Sequence, residues 1–98
     1  MKELVNMIVL ASEDNVGVAL RGIAAGEAAL DGSGHKVDSV EDVPLGHKIA
    51  LKKIREGDMI VRFGVPVGIA RAPIEPGRLV HIHNVRSQYL DNDEDHYE

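Results

Sequence analysis

The chain has 98 residues, no cysteine, three aromatic residues and a formal net charge of −5 at pH 7. This length predicts one domain with one modest core. The lack of cysteine excludes disulfides, thiolate-based zinc sites, iron–sulfur clusters and thiol nucleophiles. No apolar run approaches the roughly 18 residues that cross a membrane, and the first residues have no signal-peptide pattern. We therefore expect a cytoplasmic protein without a membrane partner.

The negative charge belongs to the end of the chain. Residues 89–98 contain five acids and no Lys or Arg, so residues 1–88 contain 11 acids and 11 bases. Nucleic acid binding requires a basic face, and a neutral body without a Lys/Arg cluster argues against that partner. We predict a folded domain over residues 1–88 and an acidic, disordered tail over residues 89–98, because like charges repel and the segment has little apolar pattern.

An internal repeat organises the body of the chain. Val18–Glu27 aligns without a gap on Ile49–Asp58, with apolar, basic, glycine and acidic positions in register. Continuing the same alignment places Gly46 on Gly77. Two copies are too few for a solenoid, so the repeat predicts a compact fold with internal pseudo-two-fold symmetry.

The short apolar segments of the chain predict a mostly β protein. Short runs rich in Val and Ile and bounded by Gly or Pro are typical of strands. They occur at Met7–Leu10, Val16–Leu20, Ala28–Leu30, Val37–Val40, Ile49–Leu51, Met59–Val61, Val65–Ala70 and Leu79–Ile82. The near-helical spacing of apolar residues in two linking segments also predicts short helical turns, at Leu20–Ala24 and Leu51–Arg55.

Histidines are the first candidates for chemistry. His81 and His83 are two residues apart on a predicted strand and therefore share a face, where two imidazoles can bind one metal ion. His47, directly after the turn glycine Gly46, is the candidate for a third ligand. The alternative is that these are half-buried strand residues that hydrogen-bond to their neighbours.

Polar residues beside the histidines suggest a ligand. Lys48 and Asn84 could hold a carboxylate or sugar hydroxyls, or could simply be solvated. Asn15 follows Asp14 before a predicted strand, where it could form a turn or cap or could contact a ligand. Four arginines of the second half are expected to form surface ion pairs: Arg62, Arg71, Arg78 and Arg86.

Taken together, these motifs resemble one family. The strings are DNVGVAL at 14–20, GHKIAL at 46–51, IVRFGVPVG at 60–68 and LVHIHN at 79–84. They are similar to the SAF domain of the altronate and galactarate dehydratases, which also occurs alone as the small subunit of sulfolactate sulfo-lyase. The resemblance implies a β-clip fold, whose internal pseudo-two-fold symmetry agrees with the repeat.

The resemblance also implies an activity. The family's members are hydro-lyases that remove water from a sugar acid to give a 2-keto-3-deoxy acid, are linked to Fe²⁺, and carry most of their machinery in a large catalytic part. Matching motif to motif assigns His47 and Lys48 as catalytic, Asn15 and Asn84 as substrate-binding, and His81 and His83 as metal ligands.

Several hypotheses remain open at this point. The chain could be the SAF domain or small subunit of a hydro-lyase, with a large catalytic partner and a sugar-acid substrate, or the small subunit of a sulfolactate sulfo-lyase. It could instead be a stand-alone carbohydrate- or metal-binding module, or a purely structural domain. Association into a homo-oligomer also remains open.

Overall fold

The computed structural model describes residues 4–81 and 84–86, and these residues are mostly strand. The described part contains nine strands: β1 (Met7–Ile8), β2 (Val16–Ala19), β3 (Ala28–Leu30), β4 (Lys36–Asp38), β5 (Lys48–Ala50), β6 (Met59–Arg62), β7 (Val65–Ala70), β8 (Leu79–Val80) and β9 (Val85–Arg86). The mostly-β prediction is confirmed. Within the same residues there is no helix that could span a bilayer. The predicted acidic tail, residues 89–98, lies outside the described residues.

The strands form one central sheet and two flanking hairpins. The central sheet has the order β1-β2-β5-β8, and all its neighbours are antiparallel. Strands β3 and β4 form the first hairpin, and β6 and β7 form the second, to which β9 adds a third strand.

The two predicted helical turns are wrong. The backbone there is extended or bent and makes isolated antiparallel bridges, Ile23 with Val43 and Ile54 with Ile74. Each bridge has two backbone hydrogen bonds of 2.8–2.9 Å. The apolar spacing looked helical, but pairing with a segment distant in sequence satisfies the backbone groups and buries the isoleucines without a helical turn.

The structure confirms the internal repeat in its hydrogen bonds. Each turn glycine has positive φ, from 82° to 89°, and donates its N–H to the same relative carbonyl in both copies. The pairs are Gly26 to Ser39 and Gly57 to Ala70, then Gly46 to Ala19 and Gly77 to Ala50, at 2.7–2.9 Å. The repeat is therefore a repeat of backbone geometry as well as of residue type.

The buried apolar residues form two cores, one on each face of the central sheet. The first consists of Met7, Val9, Ala19, Ile23, Ala29, Val43 and Ile49, and the second of Val16, Ala50, Ile54, Ile60, Ala70, Ile74 and Val80. Most members of the first cluster align in the repeat with members of the second: Ala19 with Ala50, Ile23 with Ile54, Ala29 with Ile60, Val43 with Ile74, and Ile49 with Val80. Because strand residues alternate between faces, Ile49 and Ala50 of β5 serve different cores.

The two hairpins have equivalent register at their first two residue pairs, but the second shifts register between Ile60 and Val61, and the two end differently. The chain after β3 leaves the ladder in a loop that the buried Asp31 holds together by accepting bonds from the N–H groups of Ser33 and His35. Strands β6 and β7 continue to a tight turn at Phe63 and Gly64, both with positive φ, as in a type I′ turn. Gly64 N–H donates to the buried Asp14 carboxylate at 2.7 Å, which ties this tip to the loop before β2.

Candidate functional site

The structure brings His47 and His81 together. Strand β5 pairs with β8 so that Lys48 faces Val80 and Ile49 faces Leu79. The next opposing pair along the same register is His47 and His81, just beyond the strand ends. Their ring centroids are 4.6 Å apart with a 54° angle between the ring planes. The two histidine motifs, far apart in sequence, therefore meet as a cross-strand pair.

Backbone contacts hold both histidines in place. The Nδ1 atom of His47 lies 3.4 Å from the carbonyl oxygen of Leu45. A proton on Nδ1 suits this contact and leaves the lone pair of a neutral ring on Nε2. Asn84 accepts a bond from the His81 N–H at 2.9 Å and donates its amide to the Leu79 carbonyl at 2.8 Å. Asn84 thus fixes the turn that carries His81.

Lys48 lies on the opposite face of the sheet from His47. It faces Val18 and Val80 across the two neighbouring strands, and side chains alternate along a strand. Burial lowers the pKa of the Lys48 ammonium, and the nearby positive charge of Arg62 lowers it further. The sequence grouped Lys48 with His47 because they are adjacent, but the sheet separates their side chains.

Asn15, predicted to bind substrate, has a structural set of contacts. Its side-chain amide donates to the Met59 carbonyl and its oxygen accepts from the Val61 N–H, both at 2.8 Å. These bonds attach the start of β2 to β6. Its assignment as a substrate ligand stays a prediction, with one amide hydrogen left for that purpose.

The described residues hold part of the predicted metal site. His83, one of the predicted ligands, lies outside the described residues. Within residues 4–81 and 84–86, no three His, Asp or Glu side chains come together as a metal site requires. The His47–His81 pair could therefore supply two nitrogen ligands, and further ligands would have to come from His83 or from another chain.

The sequence analysis did not predict the roles of two residues, Asn6 and Arg62. Asn6 is buried and binds β3 as Asn15 binds β6. Arg62 was expected in a surface ion pair, yet it is half-buried and its Nε atom is buried without a hydrogen-bond partner in the described structure. The position of Arg62 at the end of an apolar strand, next to a tight turn, was the available signal for its burial.

Residues 5–88 match the altronate/galactarate dehydratase SAF domain. The chain belongs to this family. It is 40% identical over 86 residues to altronate dehydratase from Bacillus subtilis and 41% identical over 86 residues to that from Escherichia coli. It is also 29% identical over 90 residues to (2R)-sulfolactate sulfo-lyase subunit alpha from Chromohalobacter salexigens. The family predicted from the sequence motifs is confirmed.

The relatives differ in how much of their length this SAF domain represents. The alignments cover 88% and 87% of this chain but only 17% of either altronate dehydratase. The alignment with the sulfo-lyase subunit covers 86% of this chain and 96% of that protein. The SAF fold thus occurs both as a small part of a large enzyme and as nearly the whole of a named subunit.

Proposed function

We propose that this SAF domain acts as a small component of a sugar-acid hydro-lyase and works together with a large catalytic part. The observation that carries the proposal is the family match over residues 5–88, with two altronate dehydratases among the relatives. The reaction would eliminate water from a hydroxylated sugar acid such as altronate or galactarate and give a 2-keto-3-deoxy acid.

Such an elimination needs a base for the proton next to the carboxylate, an acid for the leaving hydroxyl, and positive charge near the developing dianion. Histidine suits the first two tasks because its ordinary pKa of about 6.5 lies near working pH. The close approach of His47 and His81 supports a proton-transfer role for this pair. We assign the role to His47, whose Nε2 is the basic nitrogen when Nδ1 faces Leu45.

The proposal includes an Fe²⁺ ion bound by ligands from both this chain and its large partner. Imidazole is a good ligand for divalent iron, and His81 and His83 would contribute ring nitrogens, which leaves the Nε2 atom of His47 for proton transfer. Bound Fe²⁺ would act as a Lewis acid toward the leaving hydroxyl. Because the described residues bring two imidazoles and no carboxylate together, the large part would have to complete the ligand set.

A sulfolactate sulfo-lyase subunit is the second candidate. It is favoured by one specific observation, the coverage of 96% of the sulfo-lyase subunit alpha by an alignment with this chain. The two candidates share the requirement for a large partner. They differ in the group that is eliminated, which leaves as water in one reaction and as sulfite in the other.

The experiment is to purify the tagged chain with its partner from its own cells and to assay the assembly. Altronate, galactarate and sulfolactate would be supplied in turn, with 2-keto-3-deoxy acid and sulfite as the measured products. We expect the assembly to convert one of these acids and the isolated chain to convert none. Turnover by the isolated chain, or an assembly inactive on all three acids, would contradict the proposal.

A further inference from the structure

Asn84 binds both main-chain polar groups of His81. The backbone N–H of His81 donates to the side-chain oxygen of Asn84 at 2.9 Å, and the His81 carbonyl oxygen accepts from the backbone N–H of Asn84 at 3.0 Å. The amide nitrogen of Asn84 also donates to the Leu79 carbonyl at 2.8 Å, so the side chain spans the turn that follows β8. The position of His81 beyond the strand end therefore depends on Asn84.

Asn84 is itself held by the second hairpin. Its carbonyl oxygen accepts from the Arg71 N–H at 2.9 Å, directly after β7, and Val85 then pairs with Ala70 as β9 begins. Asn84 is half-buried, and its backbone N–H, its carbonyl, its side-chain oxygen and its side-chain nitrogen all take part in these bonds. The bonds of this residue are thus directed at the protein, with one amide hydrogen remaining.

The internal repeat breaks down at this turn. It aligns His81 with Ala50 and Asn84 with Lys53. The Lys53 side chain is exposed and pairs with Glu75 at 3.2 Å, and an exposed ion pair of this kind contributes little. The Asn84 bonds therefore belong to the copy of the repeat in which a histidine follows the strand.

The other histidine of the pair is fixed by different contacts. The His47 N–H donates to the Pro44 carbonyl at 3.0 Å, and the His47 carbonyl accepts from the Ala19 N–H at 2.9 Å. His47 is thus attached to β2, whereas His81 is attached to Asn84. The distance of 4.6 Å between the two ring centroids depends on both attachments.

We propose that Asn84 is a positioning residue that holds His81 against His47, and that it is not a substrate ligand. The consequence for turnover rests on the proposed function, in which His47 transfers a proton beside His81. A displacement of about 1 Å at a reacting group can lower a rate about 10²-fold. Loss of Asn84 should therefore lower kcat and leave KM nearly unchanged, because no contact with the substrate is lost.

The first test is NMR of the full chain and needs neither partner nor turnover. In Asn84→Ala, the Overhauser contact between the two histidine rings should be lost, and the His81 amide, without its acceptor, should exchange at least about tenfold faster. Asn84→Asp keeps an acceptor oxygen and should retain the slow exchange. Lys53→Ala, at the aligned exposed position, is the matched control and should behave like the native chain. If the alanine variant does not fold, Asn84→Gln, which moves the amide by one methylene group, takes its place.

The second test is the kinetics of the assembled enzyme on the acid that it converts. Asn84→Ala should lower kcat by about tenfold or more and change KM by less than about twofold. An unchanged ring contact and amide exchange would overturn the positioning role, and so would a raised KM with an unchanged kcat, which is the behaviour of a substrate ligand. Loss of the ring contact with full turnover would support the positioning role and contradict the proton transfer proposed for His47.

Discussion

Asn6 and Asn15 make the same hydrogen bonds to equivalent strands, although the two asparagines do not themselves align in the internal repeat. Asn6 bonds through backbone and side chain to Ala28, Leu30 and Leu20. Asn15 bonds in the same way to the repeat equivalents of these residues, Met59, Val61 and Leu51. The side-chain amide acts as an extra peptide group in both places. These two residues attach the central sheet to its two flanking hairpins.

Replacing either asparagine by alanine should destabilise the fold. Each change leaves a backbone N–H and a carbonyl without their side-chain partner, at a loss of about 1–3 kcal/mol. Asn6→Ala should lie at the upper end because Asn6 is buried, whereas the Asn15–Met59 bond is exposed. Denaturant unfolding would measure both, with the exposed Ser33→Ala as the control expected within about 0.5 kcal/mol. Equal, negligible losses at both asparagines would contradict this attachment.

Gly46 and Gly77 offer a matched pair of glycine replacements. Both have positive φ, 82° and 87°, so alanine is strained at either site by about 1–2 kcal/mol. A Cβ on Gly46 would meet no atom within 4 Å, whereas on Gly77 it would overlap the Asp38 carbonyl oxygen. The Gly77→Ala variant should therefore be less stable than the Gly46→Ala variant by about 1–3 kcal/mol in thermal or urea unfolding. Similar stabilities would mean that the segment over Gly77 can move aside.

The contacts of the Asp14 carboxylate predict that acid destabilises the fold. Burial by itself raises the pKa of its carboxyl group, but backbone donors that include Gly64, Ala11 and Leu10 outweigh it and hold the pKa below the ordinary 3.8. A lowered pKa in the folded state means that the contribution to stability is complete above the unfolded value and is lost as pH falls through the folded one. Unfolding free energy should therefore fall as pH is lowered below about 4.

Asp14→Asn tests this assignment. The variant should lose about 1–3 kcal/mol at pH 7, because an amide nitrogen replaces one of the acceptor oxygens. Its stability should also depend less on pH between about 4 and 2 than that of the native chain. The control Asp38→Asn, at an exposed site of β4, should follow the native curve. An unchanged slope for the Asp14 variant would rule out this carboxylate as the source.

His47 and His81 should matter for activity more than for stability. In the assembled enzyme, His47→Ala should lower turnover by about 10²-fold or more, the usual contribution of a positioned acid or base. The melting temperature of the small chain should change little, because His47 lies beyond the end of β5 and is only partly buried. His35→Ala is the matched control, since His35 is exposed in the β3–β4 loop and binds Asp31. Equal activity of the two variants would remove His47 from the mechanism.

Local pattern predicted most of the secondary structure. Each predicted strand overlaps an observed one, and the glycines that align in the repeat have positive φ in both copies. Such features depend on a few adjacent residues. The prediction of helical turns was wrong because it also relied on local sequence. At Ile23 and Ile54, a β-bridge to a distant segment outweighed a weak local preference for helix.

The candidate site was also predictable only in part from local sequence. The motifs at 46–51 and 79–84 identified the family, and residue types by themselves singled out His47 and His81 as candidates for chemistry. Their contact, however, depends on the register of β5 against β8, in which Lys48 opposes Val80. Nothing near either histidine in the sequence specifies that register. Alternation then moved Lys48, the neighbour of His47, to the other face.

The sequence by itself determined the family, the strand content, the internal repeat and the residue types available for chemistry, because each is written in short motifs or in their spacing. The tertiary structure alone decided which side chains share a surface. It brought His47 into contact with His81, placed Lys48 on the face opposite His47, and gave Asn6 and Asn15 equivalent roles outside the repeat alignment. These relationships depend on which distant strands pair and in what register, and one residue of register moves every side chain of a strand to the opposite face.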